Sequence, residues 1–307
     1  MNSRNDTIDW LLEGDVSIRY QTYRDLLGEK RPELRQRIEY EGWGAAFIAR
    51  RGTDGHWGRG YYQPKWTSSH YTLLDLKALK INPDQPRIKE TVRKIFTEEK
   101  GTDGGINPSG TINESDVCMN GMMLGCAAYF REPGEHLKSV VDFILTQQLP
   151  DGGFNCRYNR SGAVHSSMHS TISVIEGILD YARNGYTYRL EELDRAAAEA
   201  REFILQHRLY KSDKTGEIIH PELLKLSFPQ RWKYNILRAL DYFRAAGVPK
   251  DARMDDALEV LRQKRRSDGK WPLQAKHPGK THFAMEEPRG PSRWNTLLSL
   301  RVLDCYR

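Results

Sequence analysis

Gln147 to Asn155 reads QQLPDGGFN. The Asp151-Gly152 step at its centre is a turn signal. Upstream, Leu137 to Gln147 (LKSVVDFILTQ) places apolar residues at three- and four-residue spacing with charges between them, the period of an amphipathic helix. Downstream come Phe154, a loop, and then Met168 to Leu179 (MHSTISVIEGIL), a less charged stretch rich in small residues. An outer amphipathic helix, a turn, an aromatic, a loop and a buried inner helix therefore follow in that order.

The same order recurs along the chain. Turn signals stand at Asp54-Gly55, Asp103-Gly104 and Asp268-Gly269, with a variant at Lys214-Thr215-Gly216. Intervals of roughly 50 residues fall in the range of repeat architectures. Further outer helices are predicted over Leu190 to His207 and Met254 to Arg265. Further inner helices are predicted over Val16 to Leu27, Ser69 to Leu79, Asp116 to Phe130, Arg231 to Phe243 and Arg293 to Asp304. A helix apolar nearly all round is a buried one, so the expected fold is all-α: an α/α toroid of about six inner and six outer helices in one domain over residues 1–307. No stretch of period two predicts a strand of any length.

Charge argues about partners. The 47 basic and 41 acidic residues give a net +6, but the two signs are interspersed. That pattern predicts solvated helix faces and no nucleic-acid partner, which would need a concentrated basic stripe. The polar first twelve residues carry no secretory signal, and no apolar run is long enough for a membrane span. Four cysteines, Cys118, Cys126, Cys156 and Cys305, are few for 307 residues. They are expected as buried free thiols or metal ligands in a reducing, cytoplasmic compartment. Composition sets no oligomeric state.

The Gln or Lys–x–x–Asp-Gly–x–aromatic unit, clearest in QQLPDGGFN, RRGTDGHWG (Arg50 to Gly58) and QKRRSDGKW (Gln263 to Trp271), resembles the repeat of squalene–hopene cyclases and protein prenyltransferase β-subunits. The resemblance covers nearly the whole chain as periodicity. It implies a toroid whose cavity binds a hydrophobic, prenyl-like or anionic ligand. The loops before the inner helices hold Trp57, Tyr61, Tyr62, Trp66, Phe154, Tyr158, Phe228, Trp232, Trp271, Phe283 and Trp294, a lining suited to an apolar ligand, or else rings that staple loop to helix. Trp66, His70, Arg157, Tyr158, Arg231, Trp232 and Trp294 are the candidate substrate-binding residues. Arg157, Arg160, Arg231, Lys233, Arg289 and Arg293 would hold an anionic head group or pair with Glu286 and Glu287.

Protein prenyltransferases resemble this chain most locally at Asp116-Val117-Cys118, followed one repeat later by His165-Ser166-Ser167-Met168-His169. The resemblance implies a catalytic Zn2+ held by Asp116, Cys118 and His169, with His165 as a rival histidine and Asp116 as the catalytic carboxylate. Thiolate, imidazole and carboxylate are good zinc ligands, and three of them leave a fourth position open. Cys156 allows a competing site from Cys118, Cys156, His165 and His169. Alternatively Asp116 or Ser115 is a helix cap and Cys118 a small buried hydrophobe.

Other features of the family are missing. Asn107 to Ser115, just before the Asp-x-Cys, holds no Lys or Arg for a diphosphate, and there is no Asp-x-Asp-Asp or Asp-Asp-x-x-Asp. Asp255-Asp256 lies on an outer helix as a solvated pair. The sequence thus leaves three readings: a prenyltransferase- or cyclase-like enzyme, a ligand-binding or scaffold toroid without chemistry, and a carbohydrate-active toroid that pairs Asp116 with Glu286 or Glu287.

Overall fold

The computed structural model describes residues 4–109 and 112–307, with the backbone alone at 159 and 160. Its helices are α1 (Arg4–Leu12), α2 (Val16–Thr22), α3 (Pro32–Arg37), α4 (Gly42–Ile48), α5 (Ser69–Ala78), α6 (Pro86–Glu98), α7 (Val117–Tyr129), α8 (Gly134–Thr146), α9 (Tyr158–Ser161), α10 (Met168–Arg183), α11 (Leu190–Gln206), α12 (Ile236–Ala245), α13 (Asp255–Gln263) and α14 (Arg293–Cys305). The only paired strands among the described residues are β1 (Trp271–Pro272) and β2 (Pro291–Ser292), antiparallel and two residues each. The protein is all-α, as the periodicity predicts.

The turns explain the repeat. Gly55, Gly104, Gly152, Gly216 and Gly269 all have φ between +72° and +89°, a region an L side chain rarely enters. Asp54, Asp103 and Asp268 each accept the backbone N–H two residues on, at 3.0, 3.1 and 3.2 Å. The chain then sends the next N–H into a side chain of the inner helix. Trp57 donates to Ser69 at 3.0 Å, Phe154 to Thr171 at 3.0 Å and Trp271 to Thr296 at 3.0 Å. Ile106 does the same to Asn120 at 2.6 Å, and Asn120 returns a bond to the Ile106 carbonyl at 3.1 Å. Trp57, Phe154 and Trp271 are completely buried. They are staples between turn and inner helix and not cavity lining, since a buried backbone N–H must be satisfied and the ring seals that bond from water.

The contacts divide the chain into two compact units. One runs to Arg50 and adds Ala78–Asn82 and Leu205–Arg307. Here α12 packs on α14, α14 on α2 and α12 on α13. The ends of the chain meet within this unit: Arg4 bonds Asp304 at 3.0 Å. Arg301 of α14, its side chain 11% exposed, lies between Asp241 of α12 and Asp25, with 2.8 Å to Asp25. Burial opposes all three charges, so the pairing is what makes them tolerable. The helix expected from Arg231 begins five residues later. Arg231 has φ +56°, and Asn235 caps α12 by accepting the Arg238 N–H at 2.9 Å.

The other unit is Arg51–Lys77 with Pro83–Ile204. In α7 every residue except Cys118 is buried, the mark of an inner helix, while α6 buries only Ile88, Thr91, Val92, Ile95 and Phe96 on one stripe. The helices α7 and α10 touch through Gly121 and Gly177. A Cβ on Gly121 would stand 2.5 Å from the Val174 Cα, and one on Gly177 would overlap the Gly121 carbonyl oxygen. Two glycines therefore set how closely these inner helices approach.

Candidate functional site

The head of α7 opens onto a cleft in the second unit. Its volume is about 380 Å3, and it is lined by Tyr62, Gln63, Asn107, Pro108, Ser109, Ile112, Glu114, Asp116 and Met119. Part of that lining holds itself in place. Asn107 accepts the Ser109 N–H at 3.0 Å and donates to the Ile112 carbonyl at 2.7 Å, while the Ser109 hydroxyl accepts the Ile112 N–H at 3.1 Å. Gly110 and Thr111 of the same segment lie outside the described residues. Ser115 is drawn back into the turn: its N–H and hydroxyl both bond Asp103, each at 2.7 Å.

Asp116 stands at the N-cap position of α7, yet its side chain makes no capping bond. Asp116 lines the cleft together with Glu114. Tyr62 joins the cleft to an aromatic cluster. Its hydroxyl meets that of Tyr71 at 3.1 Å, and its ring lies 5.3 Å from His70. His70 is buried, bonded through Nδ1 to the Tyr61 hydroxyl at 2.8 Å. Its Nε2 is buried with no hydrogen-bond partner among the described residues. Burial pushes the His70 pKa down to about 3, so the ring is neutral at ordinary pH. Burial likewise drives the Tyr61 pKa well up. Trp66 is buried edge-on against Tyr71, with 4.7 Å between centroids.

The expected zinc site is not formed. Cys118 and Cys156 are bonded to each other as a disulfide with Cα atoms 6.0 Å apart. His165 is exposed and faces Asp151 at 3.9 Å. His169 is half-buried in the first turn of α10, where its carbonyl accepts the Ser173 hydroxyl. Among the described residues no three His, Cys, Asp or Glu side chains converge on a metal position. Asp116, Cys118, His169, His165 and Cys156 therefore do not fit a Zn2+ ion, for a reason of chemistry: sulfurs joined to each other are not thiolate ligands. The pairing also removes the premise of free thiols from which a reducing compartment was expected. Only Cys126, buried, and Cys305, exposed, are free.

The remaining candidates separate by unit. Arg157 and Tyr158 are exposed in the second unit, where the Arg157 N–H donates to Asn155; the Arg160 side chain lies outside the described residues. In the first unit Trp294 is buried, stacked on Phe228 at 4.3 Å and on Trp43 at 6.2 Å. Arg231 is buried and Trp232 half-buried. His277, near Lys233 and Arg231, has its pKa lowered to about 4 by burial first and by those charges second. Glu286 accepts the Ser292 hydroxyl at 2.5 Å and the Trp294 N–H at 3.1 Å, which seats it over the head of α14. Arg293 is turned away, donating to the Trp10 carbonyl at 3.0 Å. On the outer helix α13, Asp256 pairs with Lys211 at 2.6 Å and Asp255 with Lys250 at 3.0 Å, which agrees with a solvated face.

Tyr62 was among the loop aromatics expected to line a cavity, and it does line this cleft, whereas sequence reasoning missed Gln63, Glu114 and Met119 as cleft residues. The segment Asn107 to Ser115 was legible for its want of Lys and Arg, but Tyr62 and Gln63 come from the preceding repeat and had no signal that joined them to it.

No family model matches the chain, and no curated protein matches it significantly. Among solved structures it is similar to one described as a polysaccharide lyase, with 12% identity, 98% of this chain and 89% of that chain covered, and a TM-score of 0.48. The likeness carries no argument for the terpenoid-cyclase or prenyltransferase reading or for any other activity. Among the described residues no helix is long and apolar enough to cross a membrane.

Proposed function

We propose that this protein is a ligand-binding helical-repeat protein, and that its cleft at the head of α7 takes a small polar ligand that donates hydrogen bonds: an uncharged polyol or saccharide, or an amine. The observation that carries this reading is the lining itself. Glu114 and Asp116 supply carboxylates, Gln63 an amide and Tyr62 a phenol ring, while among the described residues no Lys or Arg lines it. Ionised carboxylates only accept hydrogen bonds. They repel a diphosphate and suit hydroxyl or ammonium groups, while Tyr62, Ile112 and Met119 offer apolar contact to a ring face. The volume of about 380 Å3 sits at the small end of small-molecule sites.

Binding without turnover is supported by the state of the groups that could move protons. His70 and Tyr61 are bonded to each other in the core, in contact with Tyr62 and hardly exposed. The prenyl or anionic ligand that the repeat resemblance implies finds no counter-charge among the described residues that line this cleft. A thermal-shift panel of neutral saccharides, amino sugars, prenyl diphosphates and polyprenes tests the proposal. Saturable stabilisation by a neutral or amino sugar is expected. Stabilisation by the prenyl diphosphates alone would sink it.

A further inference from the structure

The disulfide is used neither by the repeat nor by the ligand chemistry of the cleft. Cys118 is the one residue of α7 outside the buried set, and it stands between Asp116 and Met119, which both line the cleft. Cys156 lies in the loop after Phe154, and both cysteines are half-buried, within reach of a small thiol. The two sulfurs are not equivalent. Cys156 Sγ accepts the Cys118 N–H at 3.2 Å, in the first turn of α7, and the Ser170 hydroxyl at 3.4 Å, from the first turn of α10. Ser170 Oγ in turn accepts the Cys156 N–H at 3.1 Å. Among the described residues no such donors are aimed at Cys118 Sγ. Hydrogen-bond donors and a helix N-terminus add little to a neutral disulfide sulfur, but they stabilise a thiolate. Cys156 is built as the better leaving group, and leaving-group stability sets where and how fast a disulfide is cleaved.

We infer that Cys118–Cys156 is a reversible thiol–disulfide switch on the head of α7, worked by a dithiol reductant. One thiolate of the reductant attacks Cys118 Sγ. The Sγ–Sγ bond breaks and its electron pair leaves on Cys156 as a thiolate, held by the Cys118 N–H and Ser170. The second thiol of the reductant then displaces Cys118, so that the reductant becomes a disulfide and the protein carries two thiols. Two electrons and two protons pass from dithiol to protein, and a disulfide oxidant reverses the exchange. Reduction unties the first turn of α7, and with it one wall of the cleft, from the loop of Cys156. The thiol chemistry is independent of what the cleft binds; only its effect on a ligand rests on the function proposed above.

The full chain carrying Cys305→Ser tests the switch in three readings. Denatured without reductant, the oxidised protein should show one free thiol, Cys126, and three after dithiol treatment; three thiols before reduction, under oxidising conditions, would overturn the proposal. In the reduced native protein below pH 7, iodoacetamide should alkylate Cys156 about tenfold faster than Cys118, the factor for one unit of pKa difference, and Ser170→Ala should reduce that lead. Equal rates at the two cysteines would contradict it. Hydrogen exchange at residues 114–118 should quicken about tenfold on reduction and recover on reoxidation. Cys156→Ser should exchange at the fast rate under either condition, and Cys118→Ser provides the same reading should the first variant fold poorly. Exchange indifferent to redox state would leave no switch. The cleft proposal fails separately, on an oxidised protein that takes up no ligand, since no ligand enters these measurements.

Discussion

The heads of α7 and α14 occupy the same place in the repeat and are finished in opposite ways. At α14 a loop carboxylate, Glu286, bends over the helix end and accepts from Trp294 N–H, while Ser292 caps it by accepting the Asn295 N–H at 2.9 Å. The adjoining space is filled by the Trp294, Phe228 and Trp43 rings. At α7 the cap-position Asp116 leaves its helix end uncapped by its side chain and lines a cleft, and the first-turn N–H of Cys118 goes to a sulfur. Both helices keep the same buried anchor to their turn, Asn120 to Ile106 and Thr296 to Trp271. The repeat therefore fixes the turn and the inner helix, and the loop before that helix decides whether its head is plugged or open. That is where function resides in a repeat fold.

The comparison can be pressed by removing what is particular to each head. Reducing the disulfide, which closes a 38-residue separation, should lower unfolding free energy by about 4 kcal/mol on the chain-entropy argument. Hydrogen exchange should loosen α7 and leave α14 as it was. Gly177→Ala should cost about 3 kcal/mol or more in urea denaturation, because the added methyl has no room against Gly121. A cost under about 1 kcal/mol would mean that the α7–α10 approach is not set by these glycines.

The shared anchors should differ by their bond count. Asn120→Ala removes a donor and an acceptor from buried Ile106 and should cost about 2–3 kcal/mol, whereas Thr296→Val removes one acceptor and should cost about 1 kcal/mol. The smallest effect is a pH dependence at α14. Burial raises the Glu286 pKa despite its hydrogen bonds, so the folded protein holds that proton more tightly than the unfolded chain does. Stability from this group is full below the ordinary carboxylate range and is lost as pH rises through the raised pKa. Glu286→Gln should flatten that part of the stability–pH curve, as followed by thermal denaturation.

Much of the fold was legible because its signals are local. An Asp followed by a Gly that must take positive φ is written in two letters, and Gly55, Gly104, Gly152 and Gly269 all do so, as does Gly216 after Thr215. The ends of α8, α10, α11 and α14 fall within a few residues of the periodic stretches. The start of α12 was misplaced because Trp232, four residues before Ile236, continues the apolar pattern, whereas Asn235 supplies the cap. The site was less legible because its partnerships are non-local. Asp116, Cys118 and His169 match a ligand spacing, but spacing does not say whether the sulfur of Cys118 meets a metal or, 38 residues on, Cys156. Asp116 was found as a notable carboxylate; its neighbours Tyr62 and Gln63 arrive from another repeat by packing alone.

The central claim is that the open head of α7 is an acceptor-rich binding site. Isothermal titration of the oxidised protein and of Asp116→Ala with the neutral or amino sugar that stabilises it most tests that claim directly. Saturable binding at one site per chain, weakened about tenfold or more by Asp116→Ala and unaffected by excess prenyl diphosphate, is the predicted result, a tenfold change being the worth of one charged hydrogen bond. Unchanged affinity in Asp116→Ala, or displacement of the sugar by the diphosphate, would contradict it.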